Sequence, residues 1–284
     1  MHVFPALSFS AFLLLTLQAR AQSLLPESPV SSSLASSVVA MPRALAFALN
    51  PAQSRADSAH SLHAAIAYTP FVGGLKDANQ SAAEGTYYSS LIHSSFTACI
   101  TDLSYGALYS DIAASIGFTK GFSLAGNRGA SAGIRLRYES LSTTPAYPNL
   151  HFFIADLGFT IDLTPEATLG GTALNLLGAN YTVTNGTTEK LDRRFILGIA
   201  YHPLAVPVKI LTSVEENPGQ PLSLQFGAEY YPVRFLALRL GTSTDTGNIT
   251  TGIGILYSDI SFDVGSRFDK ALGSIFSVGA SGAW

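Results

Sequence analysis

Residues 151–163 read His-Phe-Phe-Ile-Ala-Asp-Leu-Gly-Phe-Thr-Ile-Asp-Leu. Taken two at a time they separate into two faces, because successive side chains of an extended chain point to opposite sides. Phe153, Ala155, Leu157, Phe159, Ile161 and Leu163 share one face, and Asp156, Gly158, Thr160 and Asp162 the other. The same period recurs downstream. Phe195, Leu197, Ile199 and Tyr201 oppose Arg194, Gly198 and His202. Leu222, Leu224, Phe226, Ala228 and Tyr230 oppose Ser223, Gln225, Gly227 and Glu229. Ile260, Phe262, Val264 and Phe268 oppose Ser261, Asp263, Gly265 and Arg267. These are strands with one apolar and one polar face.

Alternation of this kind fits a soluble sandwich as well as a barrel in lipid, so composition has to decide. Only 12% of the 284 residues are charged, while 47% are hydrophobic. Soluble domains carry about 25% charged residues. The apolar content excludes a disordered chain. A net charge of −3 without a Lys/Arg cluster argues against nucleic acid as a partner. The single cysteine, Cys99, leaves no intrachain disulfide and no Cys-based metal site. Beyond residue 21 no window of 18 residues is continuously apolar, so spanning helices are excluded. The remaining way to cross a bilayer is a closed antiparallel β-barrel, in which every backbone group is paired internally.

The start of the chain agrees with export. Ala11 to Leu17 form a short apolar run, and Ala19-Arg20-Ala21 fits the small-x-small cleavage pattern. The expected organisation is a signal peptide over 1–21, an N-terminal hatch or periplasmic segment over 22–60, and an outer-membrane barrel over 61–284. In 22–60, Val39, Met41, Leu45, Phe47 and Leu49 argue for burial of at least the second half.

Strands are expected at 61–70, 85–93, 95–102, 110–120, 129–140, 150–163, 167–178, 193–203, 206–216, 222–232, 234–244, 247–258, 259–269 and 273–284. That makes about fourteen, an even number as single-chain bacterial barrels have. The long connections 71–84, 141–149 and 179–192 are placed outside. The short ones, at 94, 164–166, 204–205 and 233, are placed in the periplasm, with 121–128 as a long exception. Pro165, Pro203 and Pro232 mark tight turns. At the end, Ser274 to Trp284 put Phe276, Val278 and Trp284 on one face. A terminal strand closing on an aromatic resembles the assembly signal of bacterial outer-membrane barrels, which makes the barrel-assembly machinery and outer-membrane lipid expected partners.

On the faces assigned to the lumen lie Arg135, Arg137, Glu139, Asp156, Arg194, Lys209, Glu215, Glu229, Arg239, Asp263 and Arg267. Both signs are present, so mutual pairing is the expectation, since buried charges must be paired or solvated. Cys99 is expected on the lumen side as a packing residue. The histidines show no metal spacing. No catalytic, cofactor or metal site is expected, and the chain is not read as an enzyme.

The stretch Met41-Pro42-Arg43-Ala44-Leu45-Ala46-Phe47-Ala48-Leu49-Asn50-Pro51-Ala52 resembles the N-terminal motif of the PorV/PorQ family of outer-membrane barrels, with Arg43, Asn50, Pro51 and Ala52 as its matching positions. Ile66 to Phe71 looks like that family's first strand. Gly171 to Gly178, GTALNLLG, looks like its Asn-x-x-Gly stretch, and Arg239-Leu240-Gly241 and Phe262-Asp263-Val264 fit its last hairpins. The Gly-Gly that follows the family's Arg-Ala segment is absent. The family is similar to FadL, the fatty-acid channel. The resemblance implies a fourteen-stranded barrel serving protein secretion or cell-surface attachment of the type IX kind, with exported surface proteins and other secretion components as partners. The alternative is a FadL-like transporter of hydrophobic small molecules.

Overall fold

The structure, a computed structural model, describes residues 28–41, 49–54, 61–70, 77–106, 108–125, 128–143, 149–182, 188–244, 248–269 and 273–284. The expected signal peptide at 1–21 and Arg43 of the N-terminal motif lie outside the described residues.

Among the described residues, fourteen antiparallel strands close a barrel. They are β1 (Leu62–Pro70), β2 (Ala78–Ser89), β3 (Ser94–Tyr105), β4 (Tyr109–Leu124), β5 (Arg128–Thr143), β6 (Leu150–Thr164), β7 (Ala167–Leu174), β10 (Arg194–Tyr201), β11 (Val208–Glu216), β12 (Ser223–Val233), β13 (Leu236–Ser243), β14 (Ile249–Tyr257), β15 (Ile260–Asp269) and β16 (Gly273–Ala283). Each pairs with its neighbour along the chain, except that β7 pairs directly with β10. The two short strands between them, β8 (Asn180–Thr182) and β9 (Thr188–Lys190), form a separate hairpin. β1 closes on β16, with Ile66 opposite Ala280. Closure gives every barrel strand a paired neighbour on each side.

The apolar faces point outward. Ile66, Ile116, Leu157, Leu197, Phe226 and Phe262 are all exposed, and the alternate positions are inward. Large exposed side chains would be a liability in water but are the required lipid contact of a barrel. Tyr87, Tyr201, Tyr257 and Trp284 are exposed at the end that carries the chain's C-terminus, where an aromatic girdle meets the membrane boundary.

Several expected boundaries move. β2 starts at Ala78, so the outer connection is 71–77 and not 71–84. Its outward residues there are Asn79, Ser81 and Ala83, which carry no lipid-type alternation although they are fully paired with β3. Apolar alternation reports contact with lipid, not strand pairing. The long exception at 121–128 also vanishes: β4 and β5 continue pairing from Gly121–Ser131 to Leu124–Arg128, leaving a short turn. The turn expected at 94 lies at 90–93, and Pro232 sits at a bulge near the end of β12.

Candidate functional site in the lumen

The N-terminal segment lies inside the barrel. A short helix α1 (Pro29–Ser33) is capped by Ser28, whose Oγ accepts the Ser31 N–H at 3.0 Å. The 3₁₀ turns Ser37–Ala40 and Pro51–Gln53 follow. Leu34, Val38, Val39 and Ala40 are fully buried against Leu174, Ile196, Ala200 and Leu211 of the wall. Met41 is buried too and Leu49 packs against the same cluster, while Leu45 and Phe47 lie outside the described residues. The segment runs around the inner wall: α1 meets β13 to β16, the turn Ser37–Ala40 meets β7 and β10 to β12, and the turn Pro51–Gln53 meets β4 to β6.

This close seating depends on glycine. Gly265, Gly252, Gly241, Gly227, Gly198, Gly170, Gly158 and Gly133 lie on eight different strands, and a Cβ on any of them would collide with the segment. At Gly133 the added carbon would stand 2.5 Å from the Pro51 carbonyl carbon, and at Gly241 2.6 Å from that of Leu34. Glycine weakens a strand interior, so its recurrence on one level of the inner wall marks where another backbone must approach. Eight belt glycines face one another in four cross-strand pairs, Gly133 with Gly158, Gly170 with Gly198, Gly227 with Gly241 and Gly252 with Gly265. β11 lacks a belt glycine and presents Leu211 to the apolar cluster instead.

Hydrogen bonds finish the seat. Thr119 Oγ1 donates to the Pro51 carbonyl (2.6 Å), Ser131 Oγ to that of Ala52 (2.8 Å) and Thr250 Oγ1 to that of Ser33 (2.9 Å). The buried Asn50 explains the Asn-Pro-Ala motif. Its Oδ1 accepts the Ala52 N–H, and its Nδ2 donates to the carbonyls of Val39 and Phe159, each at 2.9 Å. One amide therefore caps a turn, ties two parts of the plug together and pins both to β6.

The lumen charges form three paired groups. Near the middle, Arg135 and Asp156 approach to 2.9 Å, with Arg137 3.6 Å from Asp156 and 3.3 Å from Glu139. Near the periplasmic end, Lys209, Glu229, Arg239 and Asp263 link in a row at 2.8, 2.7 and 2.6 Å. At the outer end Arg194 meets Glu215 at 2.6 Å. Arg267 lies on the inward face of β15, half-buried. Phe276 and Val278 are exposed on the outer wall, and Trp284 exchanges backbone hydrogen bonds with Leu62 at 2.8 and 3.0 Å.

The outer end carries a cap that the sequence reading left as an open loop. β7 stops at Leu174, and Asn175 turns the chain in the left-handed region (φ 55°). Its side chain donates to the Leu191 carbonyl at 2.7 Å and accepts the Ala179 N–H at 3.2 Å. Leu191 is buried against the inward residues Phe152 and Ile154. The GTALNLLG stretch is thus the end of β7 and the turn into this cap.

Among the described residues, two small spaces flank the plug. One, of about 20 Å³, lies between Pro51, Ser54 and the inward Cys99, Thr97 and Arg137. The other, of about 140 Å³, lies under α1 beside Met41, Tyr231 and Ser281. Ligand pockets usually hold about 300–1,000 Å³, so a ligand-sized molecule passes either space only if the plug shifts. Among the described residues no group of three or more His, Cys, Asp or Glu is placed to hold a metal ion.

No family model matches the chain, and no curated protein matches it. Solved structures do. The toluene transporter TodX of Pseudomonas putida superposes with a TM-score of 0.64 at 10% identity, over 92% of this chain and 98% of that one. A FadL homologue of Pseudomonas aeruginosa gives 0.64 at 11%, over 93% and 100%. The monoaromatic hydrocarbon channel CymD gives 0.60 at 10%, over 93% and 99%. The chain has the FadL-like fold. It is a barrel of the bacterial outer membrane, and the structures it is similar to include a toluene transporter and a monoaromatic hydrocarbon channel. Identity at this level speaks for the fold alone, and nothing in these likenesses singles out the PorV/PorQ group.

Proposed function

We propose that this FadL-like barrel carries small hydrophobic molecules across the outer membrane. The observation that carries the reading is the plug: it is seated on eight wall glycines, and the two spaces described beside it are smaller than a ligand. A standing aqueous pore for polar solutes needs an open lumen. A gated passage for a scarce apolar molecule needs a plug that yields transiently. The channels of similar fold whose titles name toluene and monoaromatic hydrocarbons support the same reading. Secretion or surface attachment rests on the short PorV/PorQ-like motifs. The structure gives Asn50-Pro51-Ala52 and Asn175 to Gly178 plug and cap roles that a channel needs equally.

Uptake of labelled toluene by cells expressing the barrel tests the proposal. Expression should speed toluene entry and leave entry of a small sugar unchanged. Equal toluene entry with and without the folded barrel would overturn it. Co-purification of exported surface proteins in that event would return the reading to secretion.

A further inference from the structure

The plug and the outer cap are separate in sequence, yet both end on the same ion pair. Asp156 is fully buried and uses its two carboxylate oxygens in two directions. Oδ2 accepts Arg135 Nε at 2.9 Å, and Oδ1 accepts the backbone N–H of Asn175 at 2.9 Å. Asn175 in turn holds Leu191, the apolar anchor of the cap. Arg135 Nη2, itself 2.9 Å from Asp156 Oδ2, also donates to the Leu49 carbonyl of the plug, at 3.4 Å. Leu49 directly precedes Asn50, whose amide pins the plug to β6.

We propose that plug and cap are one gate, coupled through Arg135 and Asp156. The reasoning is energetic. A carboxylate this deeply buried needs its donors, because a charge that loses them keeps its desolvation cost without compensation. When the cap lifts, Asn175 withdraws one donor, and Asp156 must draw more strongly on Arg135. When the plug shifts, Arg135 Nη2 loses the Leu49 acceptor and is left wholly to Asp156, which then depends less on the Asn175 N–H. Either movement therefore lowers the cost of the other, and the coupling is reciprocal. The proposal concerns the gate and stands whichever cargo passes.

Trypsin added outside intact cells reads the cap. Cleavage after Lys190, scored as the fragment beginning at Leu191, requires the cap hairpin to open. Asn175→Ala is the control that opens the cap directly. Asn50→Ala and Gly133→Val disturb the plug without touching the cap, and the heat-modifiable band reports whether the barrel is folded. Both plug variants should raise the cleavage rate by about fivefold or more, the usual lower range of allosteric coupling. In an Arg135→Gln background, Asn50→Ala should add no further increase. Unchanged cleavage in both folded plug variants would overturn the proposal. So would an undiminished effect of Asn50→Ala in the Arg135→Gln background, because the link would then not run through Arg135.

Discussion

Arg239 reaches Asp263 across an entire strand. The residues lie on β13 and β15, with β14 between them, yet Nη1 stands 2.6 Å from Oδ1. Gly254 of β14 makes this possible: a Cβ there would lie 2.5 Å from that carboxylate oxygen and 2.9 Å from Arg239 Nη2. The missing side chain lets the row Lys209, Glu229, Arg239, Asp263 run on without a gap. Gly254→Val should break the last link and leave Asp263 short of a donor. The expected loss is about 1–3 kcal/mol, the cost of leaving a buried polar group unsatisfied. Urea unfolding in lipid vesicles measures it. A variant as stable as wild type would mean that water in the lumen already satisfies these charges.

The glycine belt makes a separate prediction. Gly241→Val places branched carbon where Leu34 and Ala35 of the plug now sit. The barrel should still assemble and migrate as a heat-modifiable band, because the outward face of β13 is untouched. The plug should be unseated. Cys99, the chain's only cysteine, lies on the inner wall beside Pro51 and Ser54. A water-soluble maleimide should therefore label it faster in the variant. An unchanged labelling rate in a folded variant would show that the belt does not hold the plug.

The strands were legible because lipid imposes period-2 alternation on the outer face, as in 151–163. Where the outward residues of a strand are not apolar, as Asn79 and Ser81, the pattern fades although pairing with β3 continues. The lumen charges were legible as alternate positions, but their grouping was not. Arg239 and Asp263 are 24 residues apart, and nothing local marks Gly254 as the opening between them. The belt had a readable trace, since Gly158, Gly198, Gly227 and Gly265 already sat on the polar faces of four expected strands. What they approach could not be read, because the plug comes from a distant part of the chain. Asn175 fell inside the expected strand 167–178, and its place at the turn into the cap depends on Asp156 and Leu191 meeting it in space.

The lipid face sets a gradient along β12. Leu224 and Phe226 are exposed, while Gln225 is buried, donates to Glu215 at 2.9 Å and accepts Ser213 Oγ at 2.6 Å. Leu224 is the second residue of the strand and so lies near the outer rim, whereas Ala228 lies at mid-strand on the same outward face. Ala228→Arg should cost about 2–4 kcal/mol and Leu224→Arg about 0–1, the depth dependence of a charge facing lipid. Unfolding of the refolded variants in vesicles gives both values. Equal costs at the two positions would contradict the placement of β12 in the bilayer.

The C-terminus joins the two ends of the barrel. Trp284 N–H donates to the Leu62 carbonyl at 2.8 Å, and its own carbonyl accepts the Leu62 N–H at 3.0 Å. These bonds are made by backbone, so Trp284→Ser preserves them. The indole is 58% exposed and lies against Gly282, where an added Cβ would come within 2.9 Å of it. Its removal therefore opens no cavity in the barrel and should shift the urea midpoint of the purified protein little. The aromatic sits on the outward face with Phe276 and Val278, the face that resembles the assembly signal. Trp284→Ser should thus lower the amount of folded barrel in the membrane, read as the heat-modifiable fraction of total protein. A normal folded fraction with a lowered midpoint would reverse the assignment and make Trp284 a stability residue.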